Sequence, residues 1–261
     1  MALDYSVDDG VAVVRLDRPE VLNAFNDEMG FAALEAVEKA SADDDVRCIV
    51  ITGTGRAFSA GEDLGALQVG YEAGEPPPSG DTLVKRYNPL IRAIRAAPKP
   101  VVAAINGVAA GAGASIALAC DFRIAVDKAK LSLAFVKVGL VPDSGGLWFL
   151  TKMVGAARAW ELGATGDPLD AARCLELGIV NEVVDADGFE DAWRSFARKL
   201  AVGPTRAYAL IKQLVDSSTR VSLDDQLEAE VDAQTQAGLT SDHLEGVRAF
   251  LGKRAPDFEG R

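Results

Sequence analysis

The feature that most constrains this chain is a stretch of 20 residues without a charged side chain, from position 101 to position 120. A stretch of this length is long enough to cross a membrane as a helix. However, it contains several glycines and Asn106, and it lies between prolines on one side and Asp121 on the other. We therefore predict a buried strand at 101–105, a glycine turn and a short buried helix, with no membrane span.

Apolar runs of strand length alternate with helical patterns along the first two-thirds of the chain. Strands are predicted at 11–16, 46–52, 101–105 and 122–126, and helices at 27–40, at 81–96 and in the segment that ends at Cys120. This alternation is typical of an α/β fold with buried strands. The Pro- and Gly-rich segment 73–80 is predicted to be irregular, as either a mobile surface segment or the margin of a lid.

From Ser144 onward the pattern is nearly all helical. Helices are predicted at 145–153, 156–163, 171–178, 188–200, 204–216, 223–236 and 242–251, and residues 179–184 are predicted to be extended. The apolar residues Leu223, Leu227 and Val231 form a helix face that fits either a cap on the core or an oligomer contact. The pattern does not choose between the two.

The acidic balance of the chain disfavours two classes of partner. Lysine and arginine total 27, aspartate and glutamate total 39, and the formal net charge is −12. This sign is unfavourable for binding the phosphate backbone of a nucleic acid or an anionic membrane surface. We therefore expect a small-molecule ligand, with neither a nucleic acid nor a membrane as partner.

Three cysteines, Cys48, Cys120 and Cys174, lie far apart in apolar surroundings and form no CxxC pair. We interpret all three as core residues. The first ten residues lack the basic and apolar regions of a secretion signal. Together these features predict a cytoplasmic protein.

Two glycine-containing turns, residues 59–63 and residues 111–113, each follow an apolar strand. A helix that begins at the second turn leaves the N–H groups of Ala112 and Gly113 without helical partners, at the positive end of the helix dipole. Such groups bind an anion, or a carbonyl oxygen that becomes negative during a reaction. The alternative is that the small residues serve only tight packing of helix on strand.

Other catalytic devices find little support in the sequence. Residues 111–116 match the dinucleotide fingerprint GxGxxG poorly, because Ile116 stands at the third glycine position. The sole histidine, His243, is predicted to be exposed in the first turn of a C-terminal helix. One histidine without clustered cysteines predicts no metal site.

Proton chemistry is left to carboxylates, and Asp143 is the most conspicuous of them. It stands in the turn-like sequence Pro-Asp-Ser-Gly, where an aspartate would cap the helix that follows. Its neighbours Phe135, Leu140, Val141 and Trp148 are apolar, so burial would raise the pKa of Asp143 from about 3.9 towards that of a useful base. The two interpretations are compatible.

Five segments resemble those of the crotonase (enoyl-CoA hydratase/isomerase) superfamily, in the family's order. They are VRLDRPEVLNAF (14–25), GRAFSAGEDL (55–64), AAINGVAAGAGASIALACDFRIA (103–125), KVGLVPDSGG (137–146) and EGVRAFLGKRAPDFEGR (245–261). The resemblance implies a ββα-spiral core over residues 1–200 and a helical C-terminal region over 201–261 for cap and trimer contacts. It also implies a homotrimer or a dimer of trimers, and an acyl-CoA thioester as substrate without a further cofactor.

The resemblance also assigns site residues. The thioester carbonyl is implied to accept hydrogen bonds from the main-chain N–H groups of Glu62 and Ala112, while the side chain of Glu62 is expected to point away from the enolate. The residues implied to bind the acyl-CoA are Val21, Leu22, Ala24, Ala60, Gly61, Asp63, Leu64 and Gly111, together with Phe250 and Lys253 of this or a neighbouring subunit.

Two departures from the family pattern bear on the reaction. Ser115 and Phe135 stand where the hydratases of the family have glutamates, which disfavours hydration of an alkene by that route. Asp143 matches an aspartate proposed as catalytic in a branch that includes the ring-1,2-epoxyphenylacetyl-CoA isomerase of phenylacetate breakdown and related enoyl-CoA isomerases. Leu147 stands where that branch commonly has threonine.

We therefore expect an acyl-CoA isomerase in which Asp143 moves a proton along the acyl chain. For a substrate with an aromatic ring, Phe135 and Trp148 are expected to pack against that ring. The alternatives are an enoyl-CoA hydratase with an altered site, a non-catalytic acyl-CoA binding protein and, more distantly, an NAD-dependent oxidoreductase.

Overall fold

The computed structural model of the protein describes residues 2–75 and 79–261. The strands of this part are β1 (Leu3–Asp8), β2 (Val11–Leu16), β3 (Cys48–Gly53), β4 (Ala57–Ser59), β5 (Val101–Ile105), β6 (Val108–Ala110), β7 (Phe122–Val126), β8 (Lys130–Ser132), β9 (Leu169–Asp170) and β10 (Glu182–Val184). The helices are α1 (Asp27–Ala42), α2 (Gln68–Glu72), α3 (Ser79–Thr82), α4 (Asn88–Ala96), α5 (Ala112–Ala119), α6 (Gly146–Thr165), α7 (Ala171–Glu176), α8 (Phe189–Ala201), α9 (Thr205–Ser218), α10 (Leu223–Gly238) and α11 (Ser241–Leu251).

Two sheets form the centre of the fold. The larger sheet has the strand order β1-β2-β3-β5-β7-β10, in which β1 and β2 are antiparallel and the other neighbours are parallel. The smaller sheet has the order β4-β6-β8-β9, in which β8 and β9 are antiparallel and the others parallel. Each of β3, β5 and β7 is followed by a strand of the smaller sheet and then by helix. This repeat is a ββα spiral, so the predicted fold class is confirmed.

The central strands are apolar on both sides because helices pack against the larger sheet. Every residue of β3 and β5 is buried, as is typical of parallel strands in an α/β fold. Every residue of α5 is buried as well, which explains why this helix has no charged face. Helix α1 covers β2 and begins after Asn26, whose side chain accepts a hydrogen bond from Met29 N at 3.0 Å.

Most of the predicted elements are present. The strands predicted at 11–16, 101–105 and 122–126 have those bounds, and the C-terminal region is helical as predicted. The predicted break between residues 153 and 156 corresponds to Gly155, whose φ of 77° and ψ of 164° interrupt α6. The stretch 101–120 folds as β5, β6 and α5. No helix of the described residues is both long and apolar enough to span a bilayer.

Other elements were not predicted or differ from the prediction. Strands β4, β6 and β8 have three residues each, too few to show an alternating pattern, and the polar edge strand β1 was also missed. The strand predicted at 46–52 begins at Cys48 instead. Of segment 73–80, residues 76–78 lie outside the described part, and Ser79 and Gly80 are helical rather than irregular.

The register of the smaller sheet places the two glycine turns side by side. Ser59 pairs with Ala109 and Ala110 pairs with Ser132, so the parallel strands β4, β6 and β8 end together. The segments that follow these strands therefore meet at one edge of the sheet. Parallel sheets commonly bind ligands at this edge.

Candidate active site

A cavity of about 250 Å³ lies where β4, β6 and β8 end. The turn after β4 contributes Ala60, Glu62 and Leu64, the turn after β6 contributes Gly111 and Ala112, and the segment after β8 contributes Phe135 and Asp143. The helical segments around α2 and α3 complete the wall with residues such as Tyr71 and Leu83. Because most of these side chains are apolar, a bound group is poorly solvated here.

The main-chain N–H groups of Glu62 and Ala112 have no acceptor within the described part of the chain. The peptide groups around Glu62 are held by Phe25, whose N donates to Gly61 O at 2.6 Å and whose O accepts from Asp63 N at 2.9 Å. Ala112 is the first residue of α5, where N–H groups have no partner inside the helix. Both residues line the cavity. Unpaired N–H groups at such a position are the kind of donor that stabilises a carbonyl oxygen as it becomes negative.

Glycine allows the two turns to approach each other. Gly61 has a φ of +92°, and a Cβ atom there would lie 2.8 Å from Ala110 O and 3.3 Å from Ala112 N. A Cβ atom on Gly113 would lie 2.5 Å from Ser59 O. A side chain at either position would push the turns apart. Gly61 and Gly113 therefore allow the two turns to pack tightly, and this packing sets the positions of the two N–H groups.

The carboxylate of Asp143 does not cap α6, so that part of the prediction is wrong. Helix α6 follows Gly145 and has no side-chain cap. Ser144 and Gly145 both have a left-handed backbone, with φ of 53° and 73°, and these two residues separate Asp143 from the helix. Instead, Asp143 Oδ1 accepts a hydrogen bond from Ser144 Oγ at 2.8 Å, and the side chain lines the cavity.

The surroundings of Asp143 raise its pKa above the ordinary value. Burial has the largest effect and raises the pKa, whereas the hydrogen bond from Ser144 lowers it. The charge of Glu62 raises the pKa, and that of Arg86 lowers it. A carboxyl group with a raised pKa takes up and returns a proton closer to neutral pH, as a general base requires.

The two positions at which the hydratases have glutamates carry no acid or base. Ser115 is 0% exposed within α5, and Phe135 lines the cavity. Among the described residues that line the cavity, Glu62 and Asp143 carry the carboxylates.

The side chain of Glu62 is bound by two residues that the sequence analysis missed. Its Oε2 accepts a hydrogen bond from Tyr87 OH at 2.5 Å and forms an ion pair with Arg86. Arg86 is on the same helical face as the apolar residues Leu83 and Leu90, three and four residues away. An arginine on an apolar face requires an acidic partner, and this pattern was the available signal.

The residues expected to contact the CoA moiety lie around the first turn. Leu22 O accepts a hydrogen bond from Ala60 N at 3.0 Å, and Ala24 is buried. Asp63 forms an ion pair with Arg18 at 2.8 Å, which joins the segment before α1 to this turn. Val21, Leu22, Ala24 and Asp63 are not among the residues that line the cavity. Their contact with CoA stays a prediction.

Phe250 lies in the last turn of α11 and Lys253 follows the end of that helix, far along the chain from the two turns. The side chain of Phe250 is 83% exposed. Neither residue lines the cavity formed by this chain. Their contribution from a neighbouring subunit stays a prediction.

Trp148 was expected to face an aromatic acyl group, and the structure places it elsewhere. It lines a second cavity with Phe149 and Lys152. Its ring meets Phe149 edge-on at a centroid distance of 4.9 Å, and Lys152 Nζ lies 3.5 Å from its centroid. Phe135, in contrast, does line the cavity with Asp143.

His243 and the three cysteines are in the environments predicted for them. His243 is exposed in the first turn of α11. The three cysteines are buried, and burial raises the pKa of Cys120 and Cys174 to about 12, so their thiols stay protonated. In residues 2–75 and 79–261, no cluster of histidine, cysteine and carboxylate side chains is suited to a metal ion.

Known proteins resemble this chain over nearly its whole length. Residues 6–261 match the family described as enoyl-CoA hydratase/isomerase. The 1,2-epoxyphenylacetyl-CoA isomerase of Escherichia coli (strain K12) is 45% identical over 98% of this chain and 97% of that protein. A probable enoyl-CoA hydratase of Rhodobacter capsulatus is 42% identical, and the trans-2-decenoyl-acyl-carrier-protein isomerase of Streptococcus mutans is 39% identical, each over 98% of this chain and 97% of the relative.

A solved structure shows the same fold. The putative enoyl-CoA hydratase/isomerase from Mycobacterium abscessus has a TM-score of 0.94 and 41% identity, with 100% of both chains covered. The sequence match, the ββα spiral and the paired turns at one cavity all indicate the same family. The chain therefore belongs to the enoyl-CoA hydratase/isomerase family of enzymes.

Proposed function

We propose that this enzyme is an acyl-CoA isomerase that moves a carbon–carbon double bond along the acyl chain of a CoA thioester. One observation carries the proposal: Asp143, a carboxylate with a raised pKa, lines the same apolar cavity as two unpaired main-chain N–H groups. Such a set is sufficient to remove a proton next to a thioester carbonyl and to return it.

The reaction proceeds in two proton transfers. The N–H groups of Glu62 and Ala112 donate hydrogen bonds to the thioester oxygen, while Asp143 takes a proton from C2 of a 3-enoyl thioester. The electron pair of the broken C–H bond enters a dienolate, whose negative charge rests largely on that oxygen. The protonated Asp143 then returns the proton to C4, and the double bond forms between C2 and C3. One carboxylate serves both steps because C2 and C4 are separated by C3 alone, so the same oxygen atoms reach both carbons with little movement.

The cavity strengthens this stabilisation of the dienolate. Hydrogen bonds to a developing charge are worth more where water is excluded, because the local dielectric is low. Loss of one such donor typically lowers the rate by about 10²- to 10³-fold.

Hydration of an alkene is the main alternative, since several relatives carry hydratase names. The hydratase route needs carboxylates around a water molecule, and the matching positions hold Ser115 and Phe135. Neither side chain is able to activate water near neutral pH. The proposal therefore favours movement of a double bond over addition of water.

Rearrangement of an aromatic epoxide is a related isomerisation of an acyl-CoA, distinct from movement of a double bond. The relative in Escherichia coli is named for such a reaction. The same N–H groups would stabilise the enolate, and the ring of Phe135 at the cavity offers an apolar face to an aromatic group. An epoxide substrate therefore belongs in the test beside the simple enoyl thioesters.

The decisive experiment offers the purified protein 3-enoyl-CoA, 2-enoyl-CoA and 1,2-epoxyphenylacetyl-CoA in separate reactions. Products are followed by chromatography and mass spectrometry. We expect 3-enoyl-CoA to give 2-enoyl-CoA of unchanged mass. A water adduct of the 2-enoyl compound, without migration of the double bond in the 3-enoyl compound, would reverse the assignment in favour of a hydratase.

Asp143→Asn separates an enzyme from a protein that only binds acyl-CoA. Asparagine cannot accept the proton, so we expect turnover to fall by about 10²- to 10⁴-fold while the affinity for acyl-CoA is retained. Asp127→Asn, which removes an exposed carboxylate remote from the cavity, is the matched control. Equal turnover in the two variants would contradict the role of Asp143.

A further inference from the structure

A buried arginine lies behind the first of the two N–H donors. Arg86 is 2% exposed, and its two terminal nitrogens contact different carboxylates. Nη1 lies 3.0 Å from Asp27 Oδ1 at the exposed start of α1, and Nη2 pairs with Glu62 Oε2. The guanidinium also lies over the ring of Tyr87, 4.6 Å from its centroid. Arg86 therefore connects the segment directly before α4 to the residue that carries one of the two unpaired N–H groups.

Two local features fix the position of this arginine. Residues Leu83–Tyr87 form a π-helical turn, a form that often occurs at functional sites. The aliphatic part of Arg86 lies directly against Gly30 of α1, where a Cβ atom would come within 2.2 Å of Arg86 Cδ. A side chain at position 30 would displace the arginine from this place.

The carboxylate of Glu62 creates an electrostatic problem for the proposed reaction. The sequence predicts that this side chain points away from an enolate; the structure pairs it with Arg86 and Tyr87, yet its charge still raises the pKa of Asp143 at the cavity. A negative charge there opposes the build-up of negative charge on a thioester oxygen, and it opposes the ionisation of Asp143 as well. Tyr87 donates a hydrogen bond to Glu62 but carries no charge that would offset it.

We propose that Arg86 is a positioning residue that neutralises the carboxylate of Glu62 and so keeps the cavity receptive to an enolate anion. This inference rests on the oxyanion site of the proposed function. In this role the charges of Arg86 and Glu62 offset each other. Removal of either side chain would leave the other with an unpaired charge next to the cavity.

The charged groups around the pair have different roles in this proposal. Asp27 shares Arg86 but is 82% exposed and therefore well solvated. Lys137 lines the cavity and is paired with Asp167 at 3.0 Å, with both side chains more than half exposed. Solvent screens these groups strongly. The buried cation that faces Glu62 is Arg86.

The test measures ionisation of a bound ligand, and it does not depend on turnover. Acetoacetyl-CoA is a thioester whose enolate absorbs in the ultraviolet, so the pH at which the bound ligand ionises reports how well the site accepts negative charge. We expect wild-type protein to lower this pH relative to free ligand. Arg86→Met should raise it towards the value of the free ligand, and Glu62→Gln should lower it further.

The double variant distinguishes charge balance from simple structural damage. Arg86→Met combined with Glu62→Gln contains neither charge, and we expect ionisation of the ligand at nearly the wild-type pH. The acid limb of the pH profile of kcat/KM for 3-enoyl-CoA should move in the same directions. We expect Arg86→Met to lower kcat/KM by about 10- to 100-fold and the double variant to recover most of this loss. Asp27→Asn, which removes the exposed partner of Arg86, is the control and should match wild type.

Each outcome has a definite meaning. The inference is overturned if acetoacetyl-CoA bound to Arg86→Met ionises at the same pH as when bound to wild type. It is also overturned if kcat/KM of the double variant is as low as that of Arg86→Met. In either case Arg86 is a structural residue. Failure of wild-type protein to convert any 3-enoyl-CoA, together with the expected shifts for bound acetoacetyl-CoA, overturns the proposed function and supports the role of Arg86. Failure of wild-type protein to bind acetoacetyl-CoA overturns both.

Discussion

Ser115 Oγ donates a hydrogen bond to the main-chain oxygen of Asp143 at 2.9 Å. Ser115 occupies the position at which the resemblance implies a glutamate in hydratases. In this chain, the side chain at that position holds the peptide group of the proposed base. The serine at position 115 therefore has two consequences. It removes the glutamate that the hydratases use, and its side chain helps to hold Asp143 in place.

Ser115→Ala should weaken the placement of Asp143. The variant loses a hydrogen bond worth about 1 kcal/mol, and the loop that carries Asp143 gains freedom next to the reacting carbons. We expect kcat to fall by about tenfold with KM nearly unchanged, because small displacements of a catalytic group slow the reaction. Steady-state kinetics with 3-enoyl-CoA measures both constants.

Thr52→Val provides the control for Ser115→Ala. Thr52 is buried in β3, and its Oγ1 donates to Ala104 O at 2.8 Å, a bond of the same kind remote from the cavity. Both variants should lose similar stability in urea unfolding, while kcat falls only for Ser115→Ala. A comparable decrease in kcat for Thr52→Val would show that general loosening of the fold is responsible.

A glutamate at position 115 should not convert this enzyme into a hydratase. Ser115 packs against the start of α6, where a Cβ atom on Gly146 would lie 2.5 Å from Ser115 Oγ. A longer, charged side chain would be buried without space or a partner, so we expect a loss of about 3 kcal/mol in the free energy of unfolding and no hydration. Phe135→Glu, at the cavity wall, should lose less stability because its carboxylate reaches the cavity. Hydration of 2-enoyl-CoA by Ser115→Glu would contradict this expectation.

The raised pKa of Asp143 also predicts that this residue lowers the stability of the folded chain at neutral pH while it supports activity. Burial disfavours the ionised form in the folded chain, so the folded state binds the proton more tightly than the unfolded state does. The stability that protonation provides is present below the ordinary carboxyl pKa of about 3.9 and is lost as pH rises through the raised pKa of the folded state.

Asp143→Asn should therefore be more stable than wild type at pH 7, by about 1 kcal/mol, although we expect its turnover to be much lower. This difference corresponds to a Tm increase of roughly 2–4 °C for a chain of this size. The gain should shrink as the pH is lowered towards 4, where wild-type Asp143 becomes protonated. Thermal unfolding at several pH values tests this, and a gain that grows at low pH would contradict the direction of the pKa shift.

Much of the fold and part of the site could be predicted from the sequence, because their signals are local. Long apolar runs identified β2, β5 and β7, and a proline-flanked aspartate among apolar residues identified Asp143. Strands β4, β6 and β8 are too short to produce a pattern. Their pairing with one another nevertheless places the two N–H groups at one cavity.

The direction of side chains was harder to predict than their burial. The ion pair between Arg86 and Glu62 joins residues 24 positions apart, and Arg86 lies in a π-helical turn, a conformation for which the sequence has no recognised signal. Trp148 was misplaced for a related reason. Its apolar character indicates packing, but the left-handed residues before α6 determine which way the first helical turn faces.

Gly61→Ala tests whether close contact of the two turns is needed for catalysis. The new methyl group would lie 2.8 Å from Ala110 O and 3.3 Å from Ala112 N, and the backbone would keep an unfavourable φ of +92°. The turns must separate to accept it, which moves one N–H donor relative to the other. We expect kcat/KM for 3-enoyl-CoA to fall by about 10²-fold or more.

Gly178→Ala separates this effect from backbone strain, because Gly178 also has a positive φ, of +70°, but a Cβ atom there meets nothing within 4 Å. Both variants should lose about 1–2 kcal/mol of stability, since a side chain is disfavoured in this conformation. Only Gly61→Ala should also lose activity and the ability to promote ionisation of bound acetoacetyl-CoA. Equal activity in the two variants would mean that the N–H groups tolerate separation of the turns, and that the proposed stabilisation of the enolate does not depend on their spacing.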